Sequence, residues 1–445
     1  MLRTFSLGGI HPQENKLSAG QPIAQAPLPK KAVILLGQHI GAPAKPLVAK
    51  GDVVKVGTKI AEPMGFVSAA VHSSVSGKVS KIDTVVDATG YPKQAIFIDV
   101  EGDEWEESID RTTDLVSECE LSPEEILRRI TDCGIVGLGG ACFPTQVKLA
   151  PPPSFKAECI IINAVECEPY LTSDHQLMLE HAEEIMVGIR ILMKAVRVEK
   201  AYIGIEANKP DAISLMERLA ASHAGIEVVA LKVQYPQGGE KQLIDAVTKR
   251  QVASGALPIS TGAVVQNVGT AFAVYEAVQK NKPLFERVIT ITGKALSRPS
   301  NLLARIGTPL SELIEACGGM PEDTGKIVGG GPMMGKALTS ADVPMAKGSS
   351  GVLLMTREES KRGEEKPCIR CAKCVSVCPM GLEPYLLGIL GECGEFERME
   401  KERIMDCIEC GSCQYTCPAN RPLLDYCRLG KAKVGAIIRA RQAKK

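Results

Sequence analysis

The feature that most constrains this chain lies toward its C-terminus. Cys368, Cys371, Cys374 and Cys378 precede Pro379, and Cys407, Cys410, Cys413 and Cys417 precede Pro418. Both runs read CxxCxxCxxxCP, and each cysteine recurs 39 residues later, an internal repeat with pseudo-twofold character. Three thiolates closely spaced in a loop can hold three irons of a cubane, while the fourth, at the start of a helix, reaches the other cubane. The ligand sets are therefore expected to cross over. One [4Fe-4S] cluster takes Cys368, Cys371, Cys374 and Cys417, and the second takes Cys407, Cys410, Cys413 and Cys378. Zinc is the alternative, but zinc knots draw their ligands from two pairs rather than from consecutive steps ending in CP. The small residues Ala372, Gly411 and Ser412 leave room for backbone N–H groups to point at sulfur.

Eight of the sixteen cysteines have no such spacing. Cys119, Cys133, Cys142, Cys159, Cys317, Cys393 and Cys427 read as small core or surface thiols, and Cys167 stays ambiguous inside a motif described below. The opening MLRTFSLGGIHPQEN carries no signal-peptide pattern. AVILLG and GVLLM, the longest apolar stretches, fall far short of the roughly 20 residues of a spanning helix. The chain is expected to stay in a reducing compartment, soluble or peripheral to a membrane. With 52 Lys+Arg against 52 Asp+Glu, no basic field recruits nucleic acid.

At 445 residues the chain suggests about three domains. Residues 1–45 read as an extended, Pro-punctuated segment that wraps a surface. Residues 46–110 alternate Val/Ile with polar residues and place Gly at turns. This stretch resembles a lipoyl or biotinyl barrel, a barrel-sandwich-like fold, but Gly65 in EPMGF stands where a carrier lysine is expected. Residues 123–285 alternate helical and strand patterns as α/β domains do. There SPEEILRRITDCG reads as a capped helix, ECIIINAVE as a buried strand, DHQLMLEHAEEIMVGIRILMKAV as one long amphipathic helix and KAYIGIEAN as the next strand. Residues 286–350 run strand, turn, helix and a second glycine-rich turn, VGGGPMMG, and are assigned to a small β-grasp-like module. A charged linker, REESKRGEEK, leads into a two-cluster bacterial ferredoxin-like α domain at 360–430, and 431–445 form a basic tail. Its cations Lys431, Lys433, Arg439, Arg441, Lys444 and Lys445 suit either an anionic surface or a solvated helix end. The fold class is α/β multidomain.

The stretch GIVGLGGACFPTQVKL (Gly134 to Leu149) follows a helix and contains Gly137, Gly139, Gly140, Phe143 and Lys148. Glycines let main-chain N–H groups close on a phosphate or flat ring, and a lysine beyond supplies countercharge. The offsets match neither GxGxxG nor the Walker pattern, so the loop alone could be an ordinary turn. Downstream come NAVECEP (Asn163 to Pro169), YPQGGEKQLI (Tyr235 to Ile244) and VVQNVGTAFAVYEA (Val264 to Ala277), each at a strand-to-loop junction.

In order and spacing these motifs resemble the FMN- and NADH-binding subunit of respiratory complex I over roughly residues 131–280, so the core is expected to be a complex I flavoprotein-like α/β domain. With the barrel and the twin cysteine repeat included, the whole chain resembles the C subunit of the Rnf electron-transport complex. The resemblance implies FMN, NAD(H) and two [4Fe-4S] clusters. It implies that Gly137, Gly139, Gly140 and Lys148 hold FMN phosphate or NADH, with Phe143 stacking on the dinucleotide. Asn163, Glu166 and Glu168 would bracket the isoalloxazine, Tyr235, Gly238 and Glu240 would line its other side, and Asn267 and Thr270 would complete the phosphate end. Leu138, Val165 and Gly239 depart from the family pattern, replacing an arginine, an aspartate and a glutamate. The implied activity is that of an NADH-linked oxidoreductase and translocase subunit, with membrane-embedded and ferredoxin-like partner subunits and ferredoxin reached indirectly. The implied location is peripheral, at the cytoplasmic face of the cell membrane. A soluble corrinoid reductase of similar architecture, or a non-catalytic iron–sulfur scaffold, are the alternatives.

Overall fold

The computed structural model describes residues 2–443, so Lys444 and Lys445 of the basic tail lie outside the described residues. The N-terminal segment runs extended over the α/β core. Arg3 bridges to Leu231, Ile10 bridges to Tyr235, and the Lys16 ammonium donates to the carbonyls of Glu166, Glu168 and Leu171 at 2.9, 2.9 and 2.7 Å.

The barrel-like module starts before residue 46. Strand Lys31–Leu35 pairs antiparallel with Pro92–Gly102, placing Ala32 opposite Ile98 and Ile34 opposite Ile96. All four are fully buried in the same core as Val54, Ile60 and Val79, so the alternation in KAVIL belongs to the barrel and not to a surface wrap. Gly65 sits at the tip of an open loop with a φ of +140°, and a Cβ there would meet nothing.

The core holds four parallel strands in the order Ile226–Leu231, Ala201–Glu206, Cys159–Asn163, Ala263–Asn267. Helix Pro123–Asp132 begins with a complete capping box between Ser122 and Glu125 and buries Ile126 and Ile130. The single long helix expected from DHQLMLEHAEEIMVGIRILMKAV is two helices, Ser173–Glu180 and Ala182–Val196. The break falls at His181, whose ring packs on Phe272 with centroids 4.7 Å apart and whose Nδ1 lies 3.0 Å from Glu184. Tertiary contact there overrides helix propensity.

Two further boundaries shift. The β-grasp-like module is a six-stranded sheet in which Gly351–Thr356 is an interior strand, so a limit at 350 divides the sheet. Its second strand, Ser300–Arg305, lies inside the stretch read as turn and helix. The basic tail is the second half of one helix, Leu423–Gln442. In the cysteine domain the repeat extends to the backbone: Arg370 and Ala372 adopt left-handed conformations, as do Glu409 and Gly411 at the equivalent positions, and each pair leads into a one-turn helix, Lys373–Ser376 or Ser412–Tyr415.

Candidate cofactor and cluster sites

Strand order reverses between Cys159–Asn163 and Ala263–Asn267, and the carboxyl ends of strands at such a point are where open α/β sheets bind ligands. Four segments meet there. The glycine-rich turn closes on itself through the Gly137 N–H, which donates to the Phe143 carbonyl at 2.9 Å, and the Leu138 N–H donates to Thr270 Oγ1 at 2.9 Å. A Cβ on Gly139 would stand 2.7 Å from the Asn267 amide nitrogen, whereas one on Gly140 would meet nothing. Gly139 is thus demanded by the close approach of Asn267, and Gly140 leaves an exposed backbone rim. That open cradle fits a phosphate or a flat ring lying on main-chain N–H groups.

Asn267 organises the cradle. Its side-chain oxygen accepts from Gly269 N at 2.9 Å, capping helix Val268–Gln279, and its Nδ2 donates to Asp174 Oδ2 at 2.7 Å and to the Asn163 carbonyl at 3.4 Å. Asn163 Nδ2 donates in turn to the Gly238 carbonyl at 2.8 Å. The Lys148 ammonium donates to Glu240 Oε1 at 2.6 Å and to the Val265 carbonyl at 3.0 Å. The countercharge expected of Lys148 is therefore matched by Glu240 before any anion arrives.

Three of the residues expected around the ring system direct their polar atoms elsewhere. The Glu166 carboxylate accepts from Asp174 N at 2.8 Å, His175 N at 3.1 Å and Ser173 Oγ at 3.2 Å, capping the helix Ser173–Glu180. Glu168 accepts from Met333 N at 3.1 Å and Met334 N at 2.8 Å in the second glycine-rich turn, and burial pushes its pKa up. The Tyr235 hydroxyl donates to the Cys410 carbonyl at 2.8 Å. These side chains fasten the cradle to its neighbours. Phe143 stays half-buried at the closing end of the turn. Asp174 escaped the sequence reading, because TSDHQ looks like any helix start. Burial and the adjacent Glu166 push its pKa up to about 7.

In the cysteine domain Cys378, Cys407, Cys410 and Cys413 line one cavity, walled by Leu382, Leu387 and Ile408. Cys378 thus leaves its own run to join the second, and Cys374 has Cys417 as its charge neighbour. Donors reach these sulfurs from Leu382 N to Cys378 and from Glu409 N to Cys407, each at 3.4 Å. Four thiols around one apolar cavity fit a cubane. Cys368 and Cys371 of the first run are exposed, whereas Cys378 and Cys410 are buried.

Family models match the chain in four consecutive parts: the RnfC barrel sandwich hybrid domain at 4–103, the Nuo51 FMN-binding domain at 130–276, the SLBB domain at 288–337 and a 4Fe-4S dicluster domain at 360–418. FMN and two [4Fe-4S] clusters are therefore the cofactors of this architecture. The chain also resembles the NAD+-reducing [NiFe]-hydrogenase, with a TM-score of 0.50 at 19% identity over 70% of this chain and 63% of that one, a likeness of fold. No described helix is long and apolar enough to cross a membrane. The chain is 47% identical to the C subunit of the proton-translocating ferredoxin:NAD(+) oxidoreductase complex of Clostridium ljungdahlii, over 100% of this chain and 97% of that protein. It is 43% identical to the C subunit of the Na(+)-translocating complex of Acetobacterium woodii, over 96% of each chain. Identity is 40% to the C subunit of the ion-translocating oxidoreductase complex of Rhodobacter capsulatus, over 97% of this chain and 84% of that one. Sharing this much sequence over nearly its whole length, the chain belongs to the family of C subunits of Rnf-type ion-translocating oxidoreductase complexes.

Proposed function

We propose that this chain is the NAD(H)-facing electron-transfer subunit of a ferredoxin:NAD oxidoreductase complex, held at the cytoplasmic face of the membrane by its membrane-embedded and ferredoxin-like partner subunits. FMN accepts a hydride as two electrons and can release them singly, while each cubane carries one. In this chain Gly137, Gly139 and Gly140 offer backbone to the phosphate end. Thr270 fixes the turn through Leu138, and Asn163 and Asn267 set the spacing between the turn and Gly238.

The observation that carries the reading is the seam between the core and the thiols of the second cysteine run. The cavity of Cys378, Cys407, Cys410 and Cys413 abuts the flavin-type core through Tyr235 and through Gln242, whose Nε2 donates to the Pro379 carbonyl at 3.2 Å. In the first run Cys368 and Cys371 are exposed, next in sequence to exposed Lys366, Arg370 and Lys373, and Cys374 has Cys417 as its neighbour. The order is core, buried set, exposed set, partner, and the surface cations suit an acidic one-electron carrier. NADH added to anaerobic protein should bleach the flavin band and then the cluster absorbance, with the buried cluster reduced first in freeze-quenched samples. Protein holding FMN and iron that NADH does not bleach, and that cannot pass electrons from NADH to ferricyanide, would overturn the NAD-facing assignment.

A further inference from the structure

Cys427 belongs to neither CxxCxxCxxxCP run, yet it lines the same cavity as Cys378, Cys407, Cys410 and Cys413. It is 1% exposed, in the first turns of helix Leu423–Gln442, and Cys407 packs against the buried cluster to which it belongs. The same helix touches Cys407 a second time. One turn on, at the i+4 position, the Lys431 ammonium donates to the Cys407 carbonyl at 2.6 Å and pairs with Glu409 at 3.2 Å. Met399 and Ile404 pack in one buried cluster with Cys427 and Val434 of this helix, which holds that face toward the cavity. The position of Cys427 relative to Cys407 is therefore fixed by a helix and an ion pair, and is not the accident of a loose thiol.

A cubane has four irons, and the crossed runs supply four cysteines to the buried one, so a fifth thiol has no iron left to bind. Its remaining chemistry is donation, since a thiol is a weak S–H donor. A hydrogen bond onto a ligand sulfur offsets the extra negative charge that the cluster gains on reduction, and so favours the reduced form. We propose that Cys427 is a positioning residue for the buried cluster: its S–H donates to Cys407 Sγ and raises the potential of that cluster relative to the same site without the donor. The proposal rests on assigning Cys378, Cys407, Cys410 and Cys413 as the ligands.

The test compares three variants of the full chain, purified anaerobically with both clusters and FMN, by iron analysis and EPR-monitored redox titration. Cys427→Val fills the thiol's volume without a donor, Cys427→Ala removes both, and Cys427→Ser keeps a donor. Val and Ala should retain about eight irons and shift the buried cluster's reduced-to-oxidised equilibrium about tenfold toward oxidised, about 59 mV for one electron. Ser should stay near the parent, and the exposed cluster should not move in any variant. An unshifted potential in Val and Ala at full iron content would overturn the proposal and leave the ligand assignment standing. Loss of about four irons from Val and Ala would make Cys427 a ligand and overturn both. If Ala fails to fold, Val against Ser decides.

Discussion

The Tyr235 hydroxyl donates to the Cys410 carbonyl at 2.8 Å, joining the YPQGGE segment of the flavin-type core to the second cysteine run. Tyr235 is 2% exposed, so Cys410 has no water to take over that bond. Tyr235→Phe leaves a buried carbonyl unpaired, at a cost of about 1–3 kcal/mol. The expected outcome is full iron and FMN content, a lower thermal midpoint and slower reduction of the buried cluster by NADH in stopped-flow traces. Unchanged reduction and melting would mean that this contact does not couple the domains.

Crossing of the ligand sets is tested from the far side of the repeat. Because Cys417 neighbours Cys374, Cys417→Ser should disrupt the cluster of Cys368, Cys371 and Cys374 and spare the one of Cys407, Cys410 and Cys413. Iron should fall from about eight to about four per chain, with the EPR signal of the buried cluster retained. Loss of the buried signal instead would show that each run holds its own cluster.

Glu240 tests the cradle independently of the iron. The Lys148–Glu240 pair is about one-third exposed, so Glu240→Gln should change stability by less than about 1 kcal/mol. It frees the Lys148 ammonium beside the glycine turn, and the variant is expected to release FMN at a different rate from the parent while keeping its iron. Equal FMN release, measured by fluorescence after dilution, would remove this pair from the site.

Asp174 predicts a pH dependence whose sign is fixed. Its pKa is raised by burial from the ordinary carboxylate value to about 7. The folded state therefore binds a proton that the unfolded chain has already released, and the stability this contributes is present below about pH 4 and lost as pH rises through about 7. Asp174→Asn keeps a side-chain oxygen for Asn267 Nδ2 and carries no charge. Between pH 5 and 7 the variant should gain on the parent by up to about 1.4 kcal/mol per pH unit, read as a widening difference in thermal midpoint. A constant difference across that range would show that Asp174 is ionised throughout.

The last helix predicts how the chain is held to a membrane. Of its cations, Lys431 is tied to Cys407 and Glu409, and Arg441 to Glu400 at 2.8 Å. Among the described residues, what remains is a sparse lipid-binding surface, each cation near a membrane contributing about 1 kcal/mol. Vesicles of anionic lipid alone should therefore bind the chain weakly, while membranes carrying the other subunits should retain it. Tight, salt-sensitive binding to bare anionic vesicles would reverse that assignment.

Amino-acid order alone determined the features carried by local spacing. The twin cysteine runs, the Ser122–Glu125 capping box and the alternation of strand and helix through the core are periodic or short-range, so the chain displays them without folding. What depends on which residues meet across the chain did not show. KAVIL belongs to the barrel because its partner lies far along the chain in Pro92–Gly102, and Gly351–Thr356 is interior to a sheet whose other strands surround it in space. Glu166, Glu168 and Tyr235 stand where the motif places them, yet their polar atoms are claimed by a helix start, a distant turn and the cysteine domain. Cys427 has no spacing signal, and only the packing of the last helix brings it to Cys407. Spacing along the chain decides which chemistry is available; burial and long-range hydrogen bonding decide which atoms are left free to perform it.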